Sequence, residues 1–176
     1  MGLLKTGLGA IALAGLVAGG AFAQDQSTNR VAAKTDWSVF VEDNPTECWG
    51  VSTPKESVNS RDGRVVAVNR GQTLLMVFFR PSAGANGQVA FTGGYPFASG
   101  STVSLEISGE AYELFTDGEW AWPATTDDDS KIIAAMKRGA DAKATGRSGR
   151  GTKTEDTFSL LGFTAAIEDA EKRCGS

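Results

Sequence analysis

The chain has 176 residues, 41% of them hydrophobic and 22% charged, with a formal net charge of −4, no histidine and two cysteines. The length fits one domain, and so ordinary a composition excludes disorder along the whole chain. Without histidine there is no Ser-His-Asp or Cys-His catalysis and no His-ligated zinc; two cysteines cannot form an all-thiolate zinc site, and mild acidity argues against a nucleic-acid-binding protein.

Residues 1–23 read as a secretory signal peptide. Lys5 supplies the positive end, Leu8 to Ala18 form an uncharged, largely apolar run, and Ala21-Phe22-Ala23 is an A-x-A cleavage site. The run falls short of the roughly 20 apolar residues that a membrane span needs. Cleavage after Ala23 is therefore expected, leaving no integral span. A twin arginine and a cysteine at the cleavage site are both absent, which points to the bacterial Sec route and a periplasmic or secreted protein. Export bears directly on Cys48 and Cys174, because an oxidising compartment favours their pairing as a disulfide.

Residues 24–35 are mostly polar and are expected to be a flexible N-terminal arm, followed by a single β-rich domain over residues 36–176. Short β-like runs come next. Trp37 to Val41 is the first. Cys48 to Ser52 alternates, with Cys48, Gly50 and Ser52 on one face and Trp49 and Val51 on the other. Arg64 to Asn69 reads as a strand after the Asp62-Gly63 turn, and Asn69 to Gln72 as a tight connection. Thr73 to Phe79 is apolar throughout after its threonine, the pattern of a central strand buried on both faces. Gln88 to Thr92 pairs back, and Gly93 to Pro96 turns. Thr102 to Ser108 places Val103, Leu105 and Ile107 inward. Ala111 to Thr116 leads to the hairpin signal Asp117-Gly118 and to Trp120-Ala121-Trp122.

The period then changes. Asp127 to Arg138 has acids in its first turn, bases in its last and Gly139 beyond, the charge order of an α-helix. Ala140 to Thr145 alternates as a strand, Gly146 to Thr154 is a loop or hairpin, and Phe163 to Lys172 is a short helix that delivers Cys174. Many short strands with turns and one or two short α-helices imply a mainly β fold, an antiparallel β-sandwich or flattened barrel.

Few residues offer chemistry. Asp127, Asp128 and Asp129 lack the EF-hand spacing, so a charged helical turn accounts for them and no metal site is expected. Arg147, Arg150 and Lys153 lie in a Gly/Ser-rich stretch whose guanidinium groups and backbone amides suit a phosphate or a partner's carboxylate. No P-loop is present and no cofactor is expected. Tyr95 and Trp122 are the candidate aromatic contacts, beside Phe97, Trp120 and Trp49, for which core packing is the commoner fate. Glu106, Glu110, Glu113 and Glu119 would be needed for a glycosidase pair, yet nothing fixes their separation. Ser148 and Ser159 have no base but lysine.

An ordered set of motifs spans residues 35–174: Trp37, Cys48-Trp49-Gly50-Val51-Ser52 with Pro54, and Arg70-Gly71. Gly94-Tyr95-Pro96-Phe97, Ala121-Trp122, Met136 to Gly139, Ser148-Gly149-Arg150-Gly151-Thr152, Asp156 to Phe163, Ala165-Ala166 and Cys174 complete it. Together they resemble the invasion associated locus B family of secreted alphaproteobacterial proteins. The resemblance implies a small, exported, mostly β protein and supplies no catalytic residues. The expected function is therefore binding or interaction at the envelope, without catalysis, toward an envelope or host-surface protein or a glycan and not a nucleic acid. The alternatives are a glycan-acting enzyme with paired carboxylates and a structural or chaperone-like subunit that offers an edge strand.

Overall fold

The computed structural model describes residues 29–44 and 46–174, so the expected leader lies outside the described residues. In chain order the strands are β1 (Arg30–Lys34), β2 (Trp37–Asp43), β3 (Thr46–Ser52), β4 (Glu56–Arg61), β5 (Arg64–Val65) and β6 (Leu74–Arg80). They continue with β7 (Ala85–Thr92), β8 (Thr102–Ile107), β9 (Glu110–Asp117), β10 (Trp120–Trp122), β11 (Asp141–Arg147) and β12 (Lys153–Ser159). Helix α1 (Thr126–Met136) lies between β10 and β11, and α2 (Phe163–Cys174) follows β12. All twelve strands join one open antiparallel sheet in the order β1-β2-β3-β6-β7-β10-β9-β8-β11-β12-β4-β5.

The sheet folds over itself, so that β7 and β12 face each other across the core. Phe91 meets Phe158 edge-on, with ring centroids 6.1 Å apart. The mainly β, packed-sheet fold read from the sequence is thus realised by a single sheet. β6 lies between β3 and β7, with Leu75, Met76, Val77 and Phe79 buried. β8 alternates as its sequence dictates: Val103, Leu105 and Ile107 are buried, while Ser104 and Glu106 face solvent.

α2 covers the inner face of β2 and β3. Trp37 contacts Phe163 edge-on at 4.8 Å and its indole N–H donates to the Ser159 carbonyl. Gly50 makes room for the helix, because a Cβ there would lie 2.5 Å from Ile167 Cδ1. At the end of α2, Cys174 is disulfide-bonded to Cys48 of β3, 126 positions earlier, with Cα atoms 5.8 Å apart. α1 is capped by Thr125, whose hydroxyl accepts the Asp128 amide, and it buries Ile132 and Met136.

Three segments depart from the sequence reading. Residues 30–34 of the expected arm form β1, an edge strand whose Ala32 packs on the core. Only Val31, Ala32 and Ala33 are apolar in β1, enough for an edge strand, which buries little. β4 was hidden for a related reason: its Ser57 and Asn59 serve buried polar groups, and no apolar alternation marks it. The expected strand over residues 64–69 stops at Val65. Beyond it, Arg70 and Gly71 are tied to other parts of the chain, and those long-range bonds override local β propensity.

Candidate functional site

The fold creates an open cleft of about 630 Å³ where three irregular segments meet. One wall is residues 67–70, after β5; another is Gly94 to Pro96, after β7. The third is the β11–β12 connection, with Ser148, Gly149, Arg150 and Thr152; Arg61 and Glu119 complete the rim.

The floor is anchored by Arg70. Its Nε donates to the Gly93 carbonyl at 2.9 Å, Nη1 to Asn59 Oδ1 at 3.1 Å and Asp156 Oδ1 at 3.0 Å, and Nη2 to Thr73 Oγ1 at 2.9 Å and Asp156 Oδ2 at 2.6 Å. All five guanidinium N–H groups are thereby committed. Asp156 is fully buried and also accepts the Ser57 hydroxyl at 2.6 Å. The pair is bidentate and holds the walls; it offers no free charge to a ligand.

Tyr95 stands on this floor. Its hydroxyl shares a 2.6 Å hydrogen bond with Thr154, and the Arg70 guanidinium lies 5.3 Å from its ring centroid. Burial pushes the phenol above its ordinary pKa, so it is a neutral hydroxyl at neutral pH. Glycines make the seat. A Cβ at Gly93 would lie 2.7 Å from the Tyr95 ring, and one at Gly146 2.9 Å from its hydroxyl.

The connection from Ser148 to Thr152 is held by its own backbone. The Ser148 amide donates to the Thr152 carbonyl, Gly149 to Pro96, and Gly151 to Ser148, while the Thr152 amide reaches Ser148 Oγ at 3.1 Å. Four amides of this loop, those of Ser148, Gly149, Gly151 and Thr152, are thus committed inside the protein. Side chains carry the charge instead. Arg150 has no hydrogen-bond or ion-pair partner among the described residues, and Arg61 Nη2 donates to Thr152 Oγ1 at 2.7 Å.

Arg150 and Tyr95, named from the sequence, thus line the cleft together. Arg147 is exposed on β11 and does not line it, and Lys153 is paired with Glu155 at 2.9 Å. Trp122 lies on the outer face of β10, beside Trp120, with ring centroids 6.2 Å apart and planes 20° from parallel. The two rings stack on each other, too close for a sugar ring to enter between them. Arg61, Arg70 and Asp156 were not singled out as site residues. The Arg70-Gly71 and Asp156 to Phe163 motifs were the signals available for two of them.

Of the four glutamates that a glycosidase pair would draw on, only Glu119 lines the cleft. Glu106 faces Lys143 at 3.6 Å, and Glu113 accepts the Thr102 hydroxyl. Asp129, in the acidic turn, is buried and accepts the Val89 amide at 2.7 Å, just where β10 runs out. Among the described residues no group of three or more His, Cys, Asp or Glu side chains is placed to hold a metal.

The model of the invasion associated locus B (IalB) protein family matches residues 37–171. The chain belongs to this family. The crystal structure of invasion associated protein B from Bartonella henselae is similar in fold, with a TM-score of 0.55 at 16% identity over 80% of this chain and 95% of that one. Among curated proteins, no sequence matches this chain. No described helix is long and apolar enough to cross a membrane. Three stretches that carry the family resemblance, Arg70-Gly71, Gly94 to Phe97 and Ser148 to Thr152, converge on the cleft or its walls.

Proposed function

We propose that this family member is an exported binding protein, cleaved after Ala23, and that the cleft is its recognition surface toward a partner at the cell envelope or on a host cell. One observation carries the reading: two arginines without acidic partners, Arg61 and Arg150, stand at the mouth of a cleft whose floor is locked by the Arg70–Asp156 pair. A rigid floor with cations at the rim that have no acidic partner is preorganised for a ligand carboxylate or similar anion. The disulfide supports an oxidising, extracytoplasmic location. Catalysis has no part in this reading.

The test is a pull-down from envelope extracts with wild-type protein and with the Arg61→Glu/Arg150→Glu double variant. A partner recovered by the wild type and lost by the variant supports the reading; equal recovery by both removes it. Arg147→Ala and Lys153→Ala serve as controls, with no loss expected.

A further inference from the structure

The cleft adjoins an unusual piece of backbone. β5 is the terminal strand of the sheet, paired only with β4 through Ser60 with Val65 and Arg61 with Arg64, and Val66 extends that ladder by donating to the Asn59 carbonyl. The next three residues, Ala67, Val68 and Asn69, line the cleft, and their amides and carbonyls make no hydrogen bond with any described residue. A sheet edge that continues into unpaired backbone presents donors and acceptors to an incoming strand.

The charges here are equally one-sided. Arg61 and Arg64 are direct cross-strand partners, an arrangement that is destabilising for like charges unless an anion lies between them. Arg150 adds a third guanidinium across the cleft. Among the described residues neither Asp62, in the β4–β5 turn, nor Glu119, on the cleft rim, forms an ion pair with these arginines. In a chain with net charge −4, this is a local cationic site. Apolar surface is interleaved with it: Val65 is 79% exposed and Val68 36%.

Resting on the reading of the cleft as a recognition surface, we propose that its occupant is an extended, acidic segment of a partner protein. The segment adds as a strand beside β5 and residues 67–69, its carboxylates meeting Arg61, Arg64 and Arg150 and its alternate apolar side chains covering Val65 and Val68. Main-chain bonds would supply affinity and the arginines the selection for acidic sequence. A polyanionic glycan would answer the charge but not the unpaired backbone, which favours a peptide.

The experiment uses a short peptide alternating Glu and Val, the same peptide with Lys for Glu, and a heparin hexasaccharide. Binding is followed by fluorescence anisotropy and by amide hydrogen exchange. The acidic peptide is expected to bind, the lysine peptide not, and the amides of Val65 and Ala67, which alternate with the β4-directed amide of Val66, to slow about tenfold or more in the complex. Arg61→Glu and Arg150→Glu should each weaken the peptide about tenfold. Ala67→Pro, which removes one outward-facing donor and no charge, should weaken the peptide but not heparin. Failure of the acidic peptide to bind, binding without slowed exchange at Val65 and Ala67, or unchanged affinity in Ala67→Pro would each overturn the proposal. Heparin binding lost in both arginine variants, with no peptide binding, would overturn the strand and leave the recognition surface standing. Arginine variants that alter neither probe would remove both.

Discussion

Arg70 and Asp156 lie 86 positions apart and meet as a buried, bidentate ion pair that ties the segment before β6 to β12. Asp156 is fully buried and the Arg70 side chain only 10% exposed, so neither can return to water when the other is lost. Removing one partner of such a pair typically costs about 3–5 kcal/mol, because the remaining charge stays buried. Arg70→Ala and Asp156→Ala should each lower the unfolding free energy by that amount, read as a lower midpoint in urea. Arg70→Lys should lose nearly as much, since one ammonium cannot serve Gly93, Asn59, Thr73 and both carboxylate oxygens. In the Arg70→Ala/Asp156→Ala double variant the losses should be far less than additive. Additive losses would mean that the two residues act independently.

That pair also marks where the sequence stops being readable. The inward set Val103, Leu105 and Ile107, the buried run in β6 and the Cys48–Cys174 bond follow from local alternation, local apolarity and a count of two cysteines. Each is a statement about one segment or one compartment. Arg70 sits between Asn69 and Gly71, where any polar residue suits a turn, and nothing nearby announces a carboxylate on β12. Asp129 is similar: it satisfies helix-dipole logic at the start of α1 while its carboxylate caps the β7 amide of Val89. The cleft was half legible because Arg150 and Tyr95 belong to glycine-rich turns. Arg61 was not, because β4 has no apolar period. Polar tertiary contacts leave no periodic trace in a single chain.

The disulfide fixes the far end of α2, whereas Phe163 and Trp37 fix the near end. A bond closing a loop of more than 100 residues removes about 4.7 kcal/mol of unfolded-chain freedom in the entropic account, and loss of native disulfides usually costs about 2–5 kcal/mol. Cys48→Ala/Cys174→Ala should therefore unfold at lower urea, and reductant should shift the wild type toward it without moving the variant. Hydrogen exchange should accelerate most around Ala170, next to the released end, and least around Phe163. Uniform acceleration along α2 would contradict the clasp.

Gly94 and Gly100 have nearly the same backbone conformation, φ +71° and +70°, but different surroundings. A Cβ at Gly94 would lie 2.5 Å from the Gly71 carbonyl oxygen, while Gly100 has nothing within 4 Å. Both alanine variants bear the left-handed cost of about 1–2 kcal/mol. Gly94→Ala additionally strains the 2.8 Å hydrogen bond that the Gly71 amide donates to the Gly94 carbonyl and should cost about 1–3 kcal/mol more. Paired chemical denaturation curves check this, and equal losses would mean that the contact between the two cleft walls is loose.

Asp129 accepts the amide of fully buried Val89, and its own burial, reinforced by Asp128, pushes its carboxyl above the ordinary 3.8 despite that hydrogen bond. The native state then holds the proton more tightly than the unfolded chain. Between the ordinary and the raised value the folded protein binds more protons, so this residue's contribution to stability falls as pH rises through that window and stays lower above it. Asp129→Asn keeps an oxygen for the Val89 amide and removes the buried charge. It should match or exceed wild-type stability at pH 7 and lack this part of the pH dependence. Asp129→Ala leaves the amide unpaired and should cost about 1–3 kcal/mol at pH 7. Urea denaturation of the three proteins from pH 4 to pH 7 separates the two effects. An Asn variant as unstable as the Ala variant would show that the charge itself, and not the hydrogen-bond acceptor, holds α1 against β7.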